Sequence, residues 1–181
     1  QLGGLDILVN NAGIQHVAPI DTFPPAQWDR VIAINLTSAF HTIQASLPHL
    51  KKNSYGRIIN IASVHGQVGS AGKSAYVASK HGIIGLTKVV ALENANTGVT
   101  CNAIAPGWVL TPLVQQQINA RAESAGITAK EAKDNLLGEK QPMLEFSTPE
   151  GLGALAVFLC SPEAKTITGT TMTMDGGWTA Q

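Results

Sequence analysis

Three short apolar runs, the first two closing on polar residues and the third stopped by Pro106-Gly107, each separated from the next by a stretch long enough for a helix, constrain the fold more than any other feature. They are Leu5-Asp6-Ile7-Leu8-Val9-Asn10-Asn11, Arg57-Ile58-Ile59-Asn60-Ile61-Ala62-Ser63 and Val99-Thr100-Cys101-Asn102-Ala103-Ile104-Ala105. Runs of this length without alternation read as strands buried on both faces. Thr170 to Met174 alternates and reads as a fourth strand. Between the first two, residues from about Trp28 to Leu50 place Val31, Ile34, Ala39, Ile43, Leu47 and Leu50 at helical spacing, with Pro48 near the end as a stop or bend. A second long helix is expected from Ser74 to about Asn94. Its Gly82 and Gly85 imply that another backbone packs closely there. Thr148-Pro149-Glu150 opens a later helix, with Thr148 as N-cap and proline in the first turn. Strands alternating with helices imply a parallel sheet with helices on both faces, and 181 residues suit one domain.

Composition narrows the function classes. Formal net charge is zero, and the basic residues form no cluster beyond Lys51–Lys52, which argues against nucleic acid or an anionic membrane as partner. No apolar run reaches the roughly 18 residues of a bilayer span, and the first residues lack the pattern of a signal peptide. Cys101 and Cys160 lie in apolar segments and read as buried thiols, with the cytoplasm as the expected location. His16, His41, His49 and His81 read as structural, and no metal-ligand spacing is found.

In an open parallel sheet, ligands gather at the carboxyl ends of the strands. Asn11 and Gly13, Ser63, and Pro106-Gly107 fall there. Tyr76 and Lys80 are four apart on the second long helix and share a face. A phenol near pKa 10 is a poor base at neutral pH, and a neighbouring ammonium lowers that value. A tyrosine so tuned exchanges a proton with an alcohol or carbonyl, and Ser63 can donate to the same oxygen.

Asn10-Asn11-Ala12-Gly13, Asn35, Ser63, Tyr76-Val77-Ala78-Ser79-Lys80, Pro106-Gly107 with Thr111, and Asp175-Gly176-Gly177 occur in that order along nearly the whole chain. This succession resembles the motifs of the short-chain dehydrogenase/reductase superfamily. The resemblance implies a doubly wound, Rossmann-like, three-layer α/β/α domain over residues 1–181. It also implies hydride transfer with a nicotinamide cofactor. By the same resemblance Tyr76 is the acid/base, Ser63 orients the carbonyl, Lys80 also binds the nicotinamide ribose, and Asn35 bends its helix and holds a water in a proton relay. Asn11, Ala12 and Gly13 border the adenosine side of the cofactor. Pro106, Gly107, Val109 and Thr111 line the nicotinamide, with Thr111 on the carboxamide.

Finer stretches are most similar to the 3-hydroxybutyrate dehydrogenases of that superfamily: Asn11 to Ile20, Ser63 to Gly66, Gly72 to Tyr76, Leu110 to Val114, and the ending Asp175 to Gln181. There, residues matching Gln15, His65, Lys73 and Gln117 grip the substrate carboxylate, and one matching Trp108 limits the pocket. A small keto acid needs such a cation and donors opposite its anionic end. The implied cofactor is NAD, the implied substrate a small 3-hydroxy acid, and the implied assembly a homotetramer. The superfamily's opening strand and glycine-rich pyrophosphate turn do not precede Asn10, so about 80 further residues, two to three βα units, are expected upstream. Residues 112–140, polar and poor in aromatics, are expected to form a mobile helical lid over the substrate. Two alternatives stand. An NADPH-dependent reductase of 3-oxoacyl thioesters would share the tetrad without needing Lys73 and His65. A non-catalytic scaffold would keep only the fold.

Overall fold

Each apolar run forms a strand of one parallel sheet: β1 (Ile7–Asn10), β2 (Gly56–Ile61), β3 (Val99–Pro106) and β4 (Thr171–Met174), in the spatial order β1-β2-β3-β4. The structure is a computed structural model and describes residues 3–52 and 54–180. Gln1, Leu2, Asn53 and Gln181 lie outside the described residues, so the two ends of the expected domain and the last residue of the Asp175–Gln181 ending are not covered.

Side-chain alternation along the strands sorts the core into two layers. Ile58 on β2 and Cys101 on β3, paired in register, pack with Ile43, Leu50, Val90 and Ala91. Their neighbours Ile59 and Ile104 point to the other face and pack with Leu159. The first layer belongs to α2 (Ser38–Leu50) and α3 (Ser74–Glu93), the second to α6 (Pro149–Cys160). All of β3 is buried, and its one amide side chain is satisfied: Asn102 Nδ2 donates to Ile167 O at 2.7 Å and its Oδ1 accepts from Thr170 N at 3.2 Å. β1 departs from the expected double burial. Leu8 packs inward, whereas Ile7 and Val9 are 44% and 47% exposed.

The sheet grows in one direction, yet its covering helices change sides. The β1-to-β2 and β2-to-β3 connections cross the α2/α3 face, and the β3-to-β4 connection returns over the α6 face. The last crossover is therefore opposite in hand to the first two, against the general uniformity of such connections.

The helix expected from about Trp28 to Leu50 is longer and interrupted. α1 (Pro25–Ile32) passes through a π-helical turn, Ala33–Thr37, into α2, and Pro48 sits inside the last turn without ending it. One extra residue per turn changes which side chains face inward, and Asn35 in that turn is 1% exposed. The glycines of α3 correct the reading of close backbone packing. A Cβ on Gly82 would meet the Leu36 side chain at 2.7 Å, and one on Gly85 would meet open space. Cys101 is buried as expected, whereas Cys160 is half-buried, and both are free thiols.

Residues 112–140 fold as a helical hairpin, α4 (Pro112–Ala125) and α5 (Ala129–Gly138). Gly126 ends α4 in the left-handed region at φ 64°, and Thr128 and Glu131 form a reciprocal capping box at the start of α5. The hairpin has its own small core of Ile118, Ala122, Ala132 and Leu136, against which Trp108 and Phe146 pack. Among the described residues no helix is long and apolar enough to cross a membrane.

Candidate active site

Ser63 follows β2 and caps a single 3₁₀ turn, Val64–Gly66, by accepting from His65 N at 3.2 Å. That turn packs on the start of α3 and carries Ser63 and His65 toward Tyr76. The His65 and Tyr76 rings meet edge to face at 6.1 Å. Lys80, one turn along α3, is 4% exposed, donates to Ile61 O at 2.7 Å and lies 5.6 Å from the centre of the Tyr76 ring.

Burial dominates the electrostatics. It raises the Tyr76 phenol above its ordinary value, with a hydrogen bond from the Ser63 side chain pulling the other way. The lowering expected from Lys80 is not among the causes. Burial instead acts on Lys80 itself and brings its ammonium down to about 8, where amine and ammonium interconvert near neutral pH.

Asn35 pins the chain after β1. Its Oδ1 accepts from Ile14 N at 2.8 Å, and its Nδ2 donates to Ile14 O at 2.9 Å and Ser79 Oγ at 3.2 Å. This lays Gly13 beside the lysine: a Cβ there would lie 3.6 Å from Lys80 Nζ and 3.7 Å from Asn35 Oδ1. Asn11, Ala12 and Gly13 are exposed on the same edge. At the end of β3, Gly107 N donates to Met174 O at 2.9 Å, Val109 bridges Ser147, and Thr111 caps α4 by accepting from Val114 N. The segment Pro106–Thr111 is thus fixed along its length beside the tyrosine.

A cavity of about 130 Å³ lies between these parts, lined by Gln15, Ser63, His65, Lys73, Tyr76 and Trp108 among others. Lys73 Nζ is 3.5 Å from His65 Nε2. An ammonium only donates, so His65 accepts there and carries its proton on Nδ1, a buried atom without a partner. Burial, then the Lys73 charge, lowers His65 to about 4, and burial lowers Lys73 as well. At neutral pH the cavity therefore holds one cation beside a neutral imidazole. Gln117 is exposed on α4 and does not line the cavity.

Trp178 was not anticipated as a site residue. It lines the cavity, with its ring 5.3 Å from His65 and 6.5 Å from Trp108. The Asp175 carboxylate holds it in place by accepting from Gly177 N, Thr179 N and Thr179 Oγ1 at 3.0, 2.8 and 2.6 Å. Burial works to raise that carboxyl, and the hydrogen bonds outweigh it and keep Asp175 below its ordinary value. The only sequence signal was the Asp175-Gly176-Gly177 turn itself, which brings the next side chain back over the strand ends.

Residues 1–179 match the family described as Enoyl-(Acyl carrier protein) reductase. The chain is 65% identical over 179 residues to a D-beta-hydroxybutyrate dehydrogenase of Cupriavidus necator, covering 99% of this chain and 69% of the relative. The chain belongs to the short-chain dehydrogenase/reductase family. A D-beta-hydroxybutyrate dehydrogenase of Rhizobium meliloti is 56% identical, covering 100% of this chain and 70% of the relative. Among solved structures of this family, ElxO with NADP bound is 31% identical with a TM-score of 0.88, over 99% of this chain and 69% of that one. A 4-hydroxyisoleucine dehydrogenase complexed with NADH is 31% identical with a TM-score of 0.79, over 97% and 70%.

The residues present fit the nicotinamide half of such a dinucleotide. Gly13, expected from the resemblance on the adenosine side, instead leaves bare backbone beside Lys80, and one of the three ammonium donors of Lys80 goes to Ile61 O, so others can meet ribose hydroxyls. The fixed segment Pro106–Thr111 borders the same space.

Proposed function

We propose that the protein interconverts a small 3-hydroxy acid and its keto acid, 3-hydroxybutyrate and acetoacetate, with NAD. The observation that carries this reading is the pairing, across one small cavity, of a proton-exchanging end, Ser63 and Tyr76, with a cationic end, Lys73 beside neutral His65. About 130 Å³ is far below the roughly 300–1,000 Å³ of pockets for larger ligands. The names of the two relatives above support the substrate class and, through it, NAD. A 3-oxoacyl thioester has no carboxylate to meet Lys73, and a scaffold has no use for a buried lysine beside a tyrosine that shares a cavity with Ser63.

Tyr76 donates its proton to the carbonyl oxygen during reduction and takes it back during oxidation. Its raised pKa keeps it protonated and ready to donate at neutral pH. Ser63 holds the same oxygen. Lys80, at about 8, can refill the phenol from its own ammonium. When bound, the dinucleotide supplies or accepts the hydride. Asn35 fixes the chain after β1, where Gly13 lies, and by family likeness holds a water in a proton relay to Lys80. Asn11, Ala12, Gly13, Pro106, Gly107, Val109 and Thr111 border the cofactor. Gln15 and Trp108 close the cavity around the substrate, and Gln117 joins them when α4 moves inward. The complete enzyme is a cytoplasmic homotetramer in this reading.

The test is Lys73→Ala, assayed with acetoacetate and with an uncharged ketone of similar size. A charge-assisted hydrogen bond of about 1.5–3 kcal/mol corresponds to a loss of roughly 10–200-fold in kcat/KM for acetoacetate. The uncharged ketone should lose much less. Equal losses overturn the carboxylate role, and a wild-type preference for acetoacetyl thioester with NADPH overturns the substrate class.

A further inference from the structure

At the opposite end of the sheet, the starts of β2 and β3 open on a second pocket, of about 450 Å³. Arg57 and Ser63 are six residues apart along one extended chain, so this pocket lies on the order of 20 Å from the catalytic oxygen site. Its polar groups are Arg57, Thr100, Lys165 and neighbouring hydroxyls, its apolar walls are Tyr55, Val99 and Pro162, and no carboxylate lines it.

Arg57 is 3% exposed. Its Nη1 donates to Gly56 O at 2.9 Å and Gly98 O at 3.2 Å, and the guanidinium sits 4.1 Å over the Tyr55 ring. Among the described residues it forms no ion pair, and its Nε is buried without a partner. Thr100, 5% exposed, leaves its buried Oγ1 equally unmatched. A buried guanidinium without an anion is costly, because its charge is desolvated and uncompensated. Here the two residues that carry the orphaned donor and the orphaned hydroxyl both line one open cavity, with Lys165 exposed at the same pocket.

We propose that this pocket binds a small organic acid. The oxyanion sits against Arg57 and Thr100 with Lys165 near, and a short apolar body lies along Tyr55, Val99 and Pro162. A bare inorganic anion would leave those walls wet, and an uncharged molecule would leave Arg57 unpaired.

The test is an amide-resolved NMR titration of the ¹⁵N-labelled protein with three probes: butyrate, acetate and n-butanol. Saturable shifts at the Gly98, Thr100 and Thr168 amides are expected with butyrate. Acetate should bind at least roughly threefold more weakly, and butanol should leave these amides still. Shifts at Ser63 and Gly107 report the catalytic cavity separately. Thr100→Val removes the unmatched hydroxyl at constant shape, and Lys165→Ala alters only an exposed side chain, so both keep the fold. Each should weaken butyrate at this end by at least roughly threefold and leave the Ser63 end unchanged. No saturable shift up to about 100 mM, equal response to butanol, or indifference to both substitutions overturns the proposal.

Discussion

At the scale of single residues, the proton-exchanging pair and the carboxylate end make separate predictions. Tyr76→Phe keeps the ring against His65 and removes the hydroxyl proposed to donate to the substrate oxygen alongside Ser63. Turnover should fall by about 10²–10⁴-fold with little change in melting temperature. Near-normal turnover would remove Tyr76 from that role. His65 makes a stability prediction. Its folded pKa of about 4 lies below the ordinary histidine value of 6.5, so the unfolded chain binds this proton first as pH falls. Its contribution is present above 6.5 and is lost as pH drops toward 4. Relative to His65→Gln, the wild type should lose roughly 2 kcal/mol more between pH 7 and pH 4.5 in denaturant titrations. Parallel pH profiles for the two proteins would show that His65 is not buried neutral. Ser63, Tyr76 and Lys80 were legible in the sequence because chain order and helical spacing place them at a strand end and on one helix face, whereas Asn35, in the π turn, was picked out by the family resemblance alone. Trp178 was not, because only a turn held by Asp175 aims it back over His65.

At the scale of elements, the α4–α5 hairpin is the part most open to measurement. The sequence shows its polarity, which suggests a mobile cover. The structure adds a local core around Leu136, which is 1% exposed. Such a unit opens as a whole and not residue by residue. Hydrogen exchange over residues 112–138 should therefore be uniform and faster than in β2 and β3. It should slow when cofactor and substrate bind, if the hairpin closes to bring Gln117 inward. Leu136→Ala should speed exchange across both helices and leave β2 and β3 unaltered. Equal, high protection with and without ligand would make the hairpin a rigid support. Strands were legible from their periods to within a residue or two, since pairing partners and not side chains set the ends, whereas the first long helix begins at Pro25, three residues before the expected Trp28. Leu5 and Asp6 belong to the apolar run, yet β1 begins at Ile7. The π turn at Ala33–Thr37 was illegible from periodicity, because one extra residue in a helix leaves the apolar pattern nearly intact, and only the resemblance put a bend at Asn35. The face taken by α6 was illegible for a similar reason: periodicity gives an apolar stripe, not the side of the sheet it meets.

For the whole molecule, the apolar residues left on the outside point to assembly. Phe40 on α2 and Val89 and Leu92 on α3 are 45%, 51% and 79% exposed, and Val157 and Phe158 on α6 are 72% and 43% exposed. A monomer gains nothing by displaying two such faces. With both faces used twice over, a homotetramer is the expected state, measurable by sedimentation. Leu92→Lys should shift the population to smaller species, and a wild-type monomer at micromolar concentration would refute the assembly. The order of the sheet has a different consequence, in time. Each of β2, β3 and β4 pairs with the strand before it in the chain, so during synthesis each of them emerges to find that partner already present. The exception in pace is β4, whose first residue, Thr171, follows Pro106 by 65 residues because the hairpin and α6 intervene. At about 5–20 residues per second the ribosome takes roughly 3–13 s over that interval. For those seconds the outer edge of β3, the most fully buried of the described strands, waits without its neighbour.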